Sequence, residues 1–220
     1  VGTSETVAMT EGYTDDQTLV DMRNNVIYNW GDKAGYGSEN GAKTYIINNV
    51  YKPGPSTPSG KRARIFELSV GNKYQTDYLG SVYAEGNQIM ADADDPDYSD
   101  AQIVNQDNWQ DDRHIGVYVD TGIYNRYNGN YNYDIKIEEP DAQYREYERN
   151  YPIDTDETGE VFDEVVESAG ATLPVRDAVD TRIVNDVING TAPNMDGDGV
   201  NGSIGLLDSP ADVTDEYQGA

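Results

Sequence analysis

Hydrophobic positions first gather between Thr18 and Trp30, TLVDMRNNVIYNW, where aliphatic and aromatic residues surround the tripeptide Asn24-Asn25-Val26. The same tripeptide returns at Asn48-Asn49-Val50, inside a second β-branched and aromatic run, Tyr45–Tyr51. Runs of this kind, bounded by turn-forming residues, predict strands. The two tripeptides lie 24 residues apart, about one coil of a wound β-solenoid, a unit too thin to bury a core alone. Asparagines repeating once per coil have a physical role: stacked amides donate to and accept from the coils above and below at a tight bend. Asn72, again 24 residues on from Asn48, extends the series, and Asn87 is a fourth echo after a shorter interval. The pattern predicts an all-β chain, a right-handed parallel β-helix (solenoid) fragment.

Breakers and further runs divide the rest. Residues 1–17 are polar, a partial coil or loop with room for a short strand at Thr6–Met9. Coils then occupy 18–90: Gly31–Gly41 is turn-rich, Pro53-Gly54-Pro55 stops ladder pairing, and Ser56–Gly60 is a loop tip. Lys61–Glu67 is extended again, and Ser81–Met90 reads as a strand pair bent at Gly86. Residues 91–158 are expected to be acidic and Tyr/Asn-rich loops, with short strands at Ile103–Val104, Ile115–Val119 and Asp134–Glu139. Two helices at 159–190 follow from a change of period. Val161, Phe162, Val165, Val166 and Ala169 form one stripe, stopped by Gly170. Val179, Ile183, Val184, Val187 and Ile188 form another, with Asp177 as N-cap and Asn189-Gly190 as the stop. Helices this short are marginal alone, so both are expected to pack on the side of the solenoid. Residues 191–220 read as an acidic Gly-rich tail.

Composition narrows the partners. Of 220 residues, 41 are acidic and 15 basic, a net charge of −26, a field that repels nucleic acid and anionic membrane. Neither is expected as a partner, and the chain is expected to be a monomer. The carboxylates are spread rather than gathered, which favours a surface adapted to concentrated salt over a single cation store. The absence of cysteine removes disulfides and thiolate metal sites without deciding the compartment. Eighteen tyrosines against two phenylalanines suit half-buried sheet faces, where a ring packs and its hydroxyl stays wet.

The runs VDMRNNVIYNWG, YIINNVYKPGPST and KRARIFE resemble the C-terminal half of pectate lyases of the parallel β-helix type, in the branch related to pectate trisaccharide-lyase. GATLPVRDAVDTRIVNDVINGT and GLLDSPADV are similar to that branch's closing segment. The resemblance covers roughly 18–68 and 160–213, while 71–158 matches weakly. It implies a secreted, extracellular enzyme that cleaves polygalacturonate by β-elimination. In that family calcium bridges substrate carboxylates to acidic side chains, and an arginine removes the C5 proton. The family's calcium carboxylates and catalytic arginine precede the Asn-Asn-Val coil, so no base or nucleophile is assigned in this chain. On that reading the chain alone is expected to be inactive. The alternative is a non-catalytic β-solenoid that binds polysaccharide or serves as a surface module.

A polyanionic substrate needs local positive charge, and arginine grips carboxylates in a bidentate fork. Arg23, Lys52, Lys61, Arg62 and Arg64 are the candidate substrate contacts; the competing reading pairs Arg23 with a neighbouring coil's carboxylate and makes Lys61–Arg64 a solvated loop edge. Asn194, Asp196 and Asp198, followed by Gly199, have the alternate oxygen ligands of half a calcium loop. The position for its bidentate acid holds Gly205, which favours a flexible acidic tail. His114, the only histidine, has no evident nucleophile beside it.

Overall fold

The computed structural model describes residues 18–38, 42–68, 80–109, 115–119, 135–170 and 172–192. Nine strands form along these residues: β1 (Leu19–Arg23), β2 (Val26–Tyr28), β3 (Tyr36–Gly37), β4 (Lys43–Ile47), β5 (Val50–Lys52), β6 (Phe66–Leu68), β7 (Ser81–Glu85), β8 (Gln88–Ile89) and β9 (Val117–Val119). They build three parallel sheets, β1-β4-β7, β2-β5-β8 and β3-β6-β9. Each pass of the chain thus leaves one strand in every sheet, an arrangement compatible with a parallel β-solenoid. The expected strand pair at Ser81–Met90 is β7 and β8, and Ile115–Val119 contains β9. Lys136 adds a parallel bridge to Val82, with backbone bonds of 2.8 and 2.9 Å, so Asp134–Glu139 does contain an extended rung.

The strand region Thr18–Trp30 holds β1 and β2, because the chain turns at the asparagines. Asn24, Asn48 and Gly86 all hold the left-handed conformation, with φ of 56°, 50° and 67°. Asparagine tolerates that region and glycine enters it freely. At Gly86 there is a second constraint, since a Cβ would overlap Asn48 Oδ1. Asn25, Asn49 and Asn87 follow these corner residues and stack. Asn25 donates its backbone N–H and Nδ2 to Asn49 Oδ1 at 3.0 and 2.9 Å. Asn49 does the same to Asn87 Oδ1 at 3.0 and 2.9 Å, and Asn87 to Asn108 Oδ1, both at 2.9 Å. Asn108 closes the ladder by turning its Nδ2 back to Val104 O and Asn87 O.

The separation from rung to rung is 24 residues and then 38. Asn72 lies outside the described residues, and the third rung belongs to Asn87. A solenoid accommodates unequal coils because extra residues leave between strands, while register is set by the buried face.

Side chains alternate across each strand. Ile46, Val82, Tyr51, Ile89, Phe66, Leu68, Val117 and Val119, drawn from all three sheets, share one buried core with Trp30, Ile65 and Trp109. Among the described residues there are four helices: α1 (Tyr98–Val104), α2 (Ala142–Asn150), α3 (Thr158–Ser168) and α4 (Ala178–Asn189). The two expected helices are α3 and α4, with Asp177 capping the Asp180 N–H at 2.8 Å and Gly190 left-handed at φ 69°. α3 packs on β2 and β5. Val161 and Val184 are buried, whereas Ile183 and Ile188 of the predicted α4 stripe stay largely exposed.

Two helices correct the expectation of loops at 91–158. Ile103–Val104 ends α1 instead of forming a strand, because Ala101 and Val104, three apart, bury one helical face in the core. α2 starts at Asp141, whose carboxylate accepts from Tyr144 N at 2.8 Å. It lies on the outer face of β1-β4-β7, where Tyr144 stacks on Tyr45 with centroids 3.6 Å apart and planes 12° apart. Tyr45, Tyr83 and Tyr144 form a second buried cluster there; these rings fill a sheet face, but Tyr45 and Tyr144 are fully buried rather than half-buried with a wet hydroxyl.

Candidate functional site

The five nominated cations do not converge. Arg23 ends β1 on the outer face of the first sheet, and its side chain is 8% exposed. Its Nε and Nη2 grip Asp21 at 3.0 and 2.9 Å. The same guanidinium donates to Thr155 Oγ1 at 2.8 Å, to Tyr144 Oη, and to Glu148 at 3.3 Å. Burial opposes its charge, but Asp21, Tyr144 and Glu148 together more than offset that, and the guanidinium is held above its ordinary value. Arg23 therefore pins α2 and the segment after it onto β1. Its carboxylate partners are Asp21 on its own strand and Glu148 on α2, not a carboxylate of the neighbouring coil as in the competing reading.

Lys52 sits on the β2-β5-β8 sheet, level with Tyr28. Its Nζ donates to Ile188 O at 2.8 Å and lies 5.3 Å from the Phe162 ring centroid, and desolvation holds its ammonium below the usual value despite Asp92. Tyr28 Oη donates to Thr191 O at 2.7 Å. Together they tie the C-terminal end of α4, where carbonyls lack intrahelical donors. Lys61 pairs with Asp32. Arg62 bonds Asp95 at 2.7 Å, Thr57 O at 2.7 Å and Gly54 O at 2.9 Å. Arg64 lies 3.6 Å from the Tyr118 ring centroid and 3.7 Å from Glu67, on the third sheet's outer row Tyr36–Glu67–Tyr118.

Of the grooves among the described residues, two bear on these cations. The larger, about 880 Å³, brings Lys52 and Arg62 together with Asp92, Asp95, Gln102 and the Ile188–Gly190 turn. Both of its cations already hold protein oxygens, so this groove is a seam of matched charges. The second, about 640 Å³, lies beside α2 and is lined by Arg23, Arg145, Glu148, Arg149, Pro152 and Ile153. Sequence reasoning passed over Arg145 and Arg149, because the stretch read as loop. The signal was there: Asp141 as N-cap, arginines four apart, and Tyr144, Tyr147 and Tyr151 at helical spacing.

Asn194, Asp196, Asp198 and His114 lie outside the described residues. Among the described residues no three carboxylate or imidazole side chains converge to hold a metal ion. Among the same residues no helix is long and apolar enough to cross a membrane. No family model matches the chain, and no curated protein does.

Proposed function

We propose that the chain is a right-handed parallel β-solenoid of the pectate-lyase kind that acts on polygalacturonate. In this reading it is the C-terminal part of a secreted enzyme working by calcium-assisted β-elimination, with the catalytic base and calcium carboxylates on coils N-terminal to the Asn-Asn-Val rungs. One observation carries the reading: the two motifs that resemble that family, VDMRNNVIYNWG and YIINNVYKPGPST, become successive rungs paired residue for residue. Their repeated asparagines form the inter-coil ladder. The resemblance thus coincides with a physical repeat and not merely with shared composition.

The test is two-part. The chain should be retarded in gels containing polygalacturonate, and with calcium it should release no product absorbing as an unsaturated uronide. An absence of retardation overturns the substrate assignment. Product from this polypeptide alone overturns the placement of the chemistry. A fusion to the preceding coils that binds but never yields product identifies the non-catalytic alternative.

A further inference from the structure

The geometry points to the groove beside α2 as a polyuronate-binding site, with Arg145 and Arg149 as the carboxylate contacts. It rests on the proposed action on an acidic polysaccharide and assigns the contacts to residues outside the stretches that carry the resemblance. In a chain of net charge −26 with only 15 basic residues, three arginines line this one groove. A polyanion can settle only where such local charge exists.

The three have different work. Arg23 is buried and saturated by Asp21, Glu148 and Thr155, so it braces the floor. It also draws off Glu148, whose carboxylate would otherwise repel a ligand in the groove. Arg145 is 60% exposed and its pair with Glu139 is 3.5 Å long between two exposed groups. Exposed pairs of this kind are weak and screened, so a ligand carboxylate exchanges into them readily. Arg149 stands in the last turn of α2 and is exposed. Four residues apart, their Cα atoms rise along one helix face by about 6 Å, which puts both side chains within reach of carboxylates on one polymer chain. Each guanidinium offers a carboxylate a bidentate fork. Pro152 and exposed Ile153 supply apolar surface beside them, against which the C–H face of a sugar packs.

The experiment uses the full chain with two probes, polygalacturonate and polymannuronate, and neutral galactan as control. Arg145→Gln/Arg149→Gln should weaken polyuronate binding about tenfold or more, whereas Lys136→Gln, another partly exposed cation, should not. The far-ultraviolet spectrum and Tm should be unchanged, because both arginines are exposed and Tyr144 keeps its packing. Arg145→Lys/Arg149→Lys should recover part of the affinity, since the charge remains and the fork is lost. If wild type binds polygalacturonate and the Gln pair binds equally well, this site is wrong while the proposed function stands. If polymannuronate binds through the two arginines and polygalacturonate does not, the site stands and the substrate assignment fails. Binding of neither, or equal loss from Lys136→Gln, overturns the site.

Discussion

Asn49→Ala is the sharpest test of the ladder. Asn49 is fully buried and its amide serves three neighbours at once. Oδ1 accepts from the Asn25 N–H and Nδ2, while Nδ2 donates to Asn87 Oδ1 at 2.9 Å and to Met22 O at 3.0 Å. Truncation leaves the Met22 carbonyl without this donor and removes the side-chain link between rungs. A buried group stripped of its partner costs about 1–3 kcal/mol, and the lost amide bonds add to that, giving about 3 kcal/mol in all. Asn25→Ala is the matched control. Asn25 is exposed, water replaces its amide, and Asn49 Oδ1 still accepts from the backbone N–H of residue 25, so the cost is about 1 kcal/mol. With a urea m-value near 2 kcal/mol/M, the midpoint should fall by about 1.5 M for Asn49→Ala and about 0.5 M for Asn25→Ala. The assay is urea unfolding followed by circular dichroism and by tyrosine fluorescence. Equal midpoint shifts, or an Asn49→Ala shift below about 0.3 M, would refute the view that the buried rung carries the stack.

Gly86→Ala should cost about 2 kcal/mol or more, because it adds an overlap with Asn48 to an unfavourable φ. Gly60→Ala, at φ 80° with open space around it, should cost only about 1 kcal/mol; equal losses by denaturant titration would remove the role of the Asn48 contact. Burial, then Asp186, raises the Tyr28 hydroxyl from 10.0 to about 12. The folded state therefore holds this proton longer than the unfolded one. Its contribution is complete below pH 10 and disappears as pH climbs through 12. Tyr28→Phe should flatten that alkaline loss, by about 1 kcal/mol after allowance for solvent, and an unchanged pH profile contradicts the assignment. Asp156, with Glu160 and Glu167, raises the exposed Glu164 carboxylate above its ordinary value. Glu164→Gln should raise Tm in dilute buffer and have no effect in molar salt, where like-charge repulsion is screened; a salt-independent Tm in both proteins argues against adaptation to concentrated salt.

Several of these features could be read from the chain as written. The 24-residue return of Asn-Asn-Val marks the repeat, because a tight left-handed corner followed by a stackable amide is a local chemical demand. α3 and α4 were visible because their apolar stripes and caps are local as well. α2 was not. Its cap and tyrosine spacing are local, but its residues are otherwise polar, and Tyr144 gains its burial from Tyr45 and Tyr83, far earlier in the chain. The third rung was misplaced for a related reason: the spacing of two coils cannot announce that the next is 38 residues long.

The sequence by itself determined which residues can stack and turn, and which carry positive charge in an acidic chain. Tertiary structure alone decided their partners. Arg23 and Lys52 lie in two different sheets and Arg64 just ahead of a strand of the third, and each is engaged by a carboxylate, a carbonyl or a ring from another part of the chain or its own strand. Corners and strands depend on bonds among near neighbours. The availability of a charge depends on what long-range packing brings within 3 to 4 Å of it, and that distance is set by the finished stack.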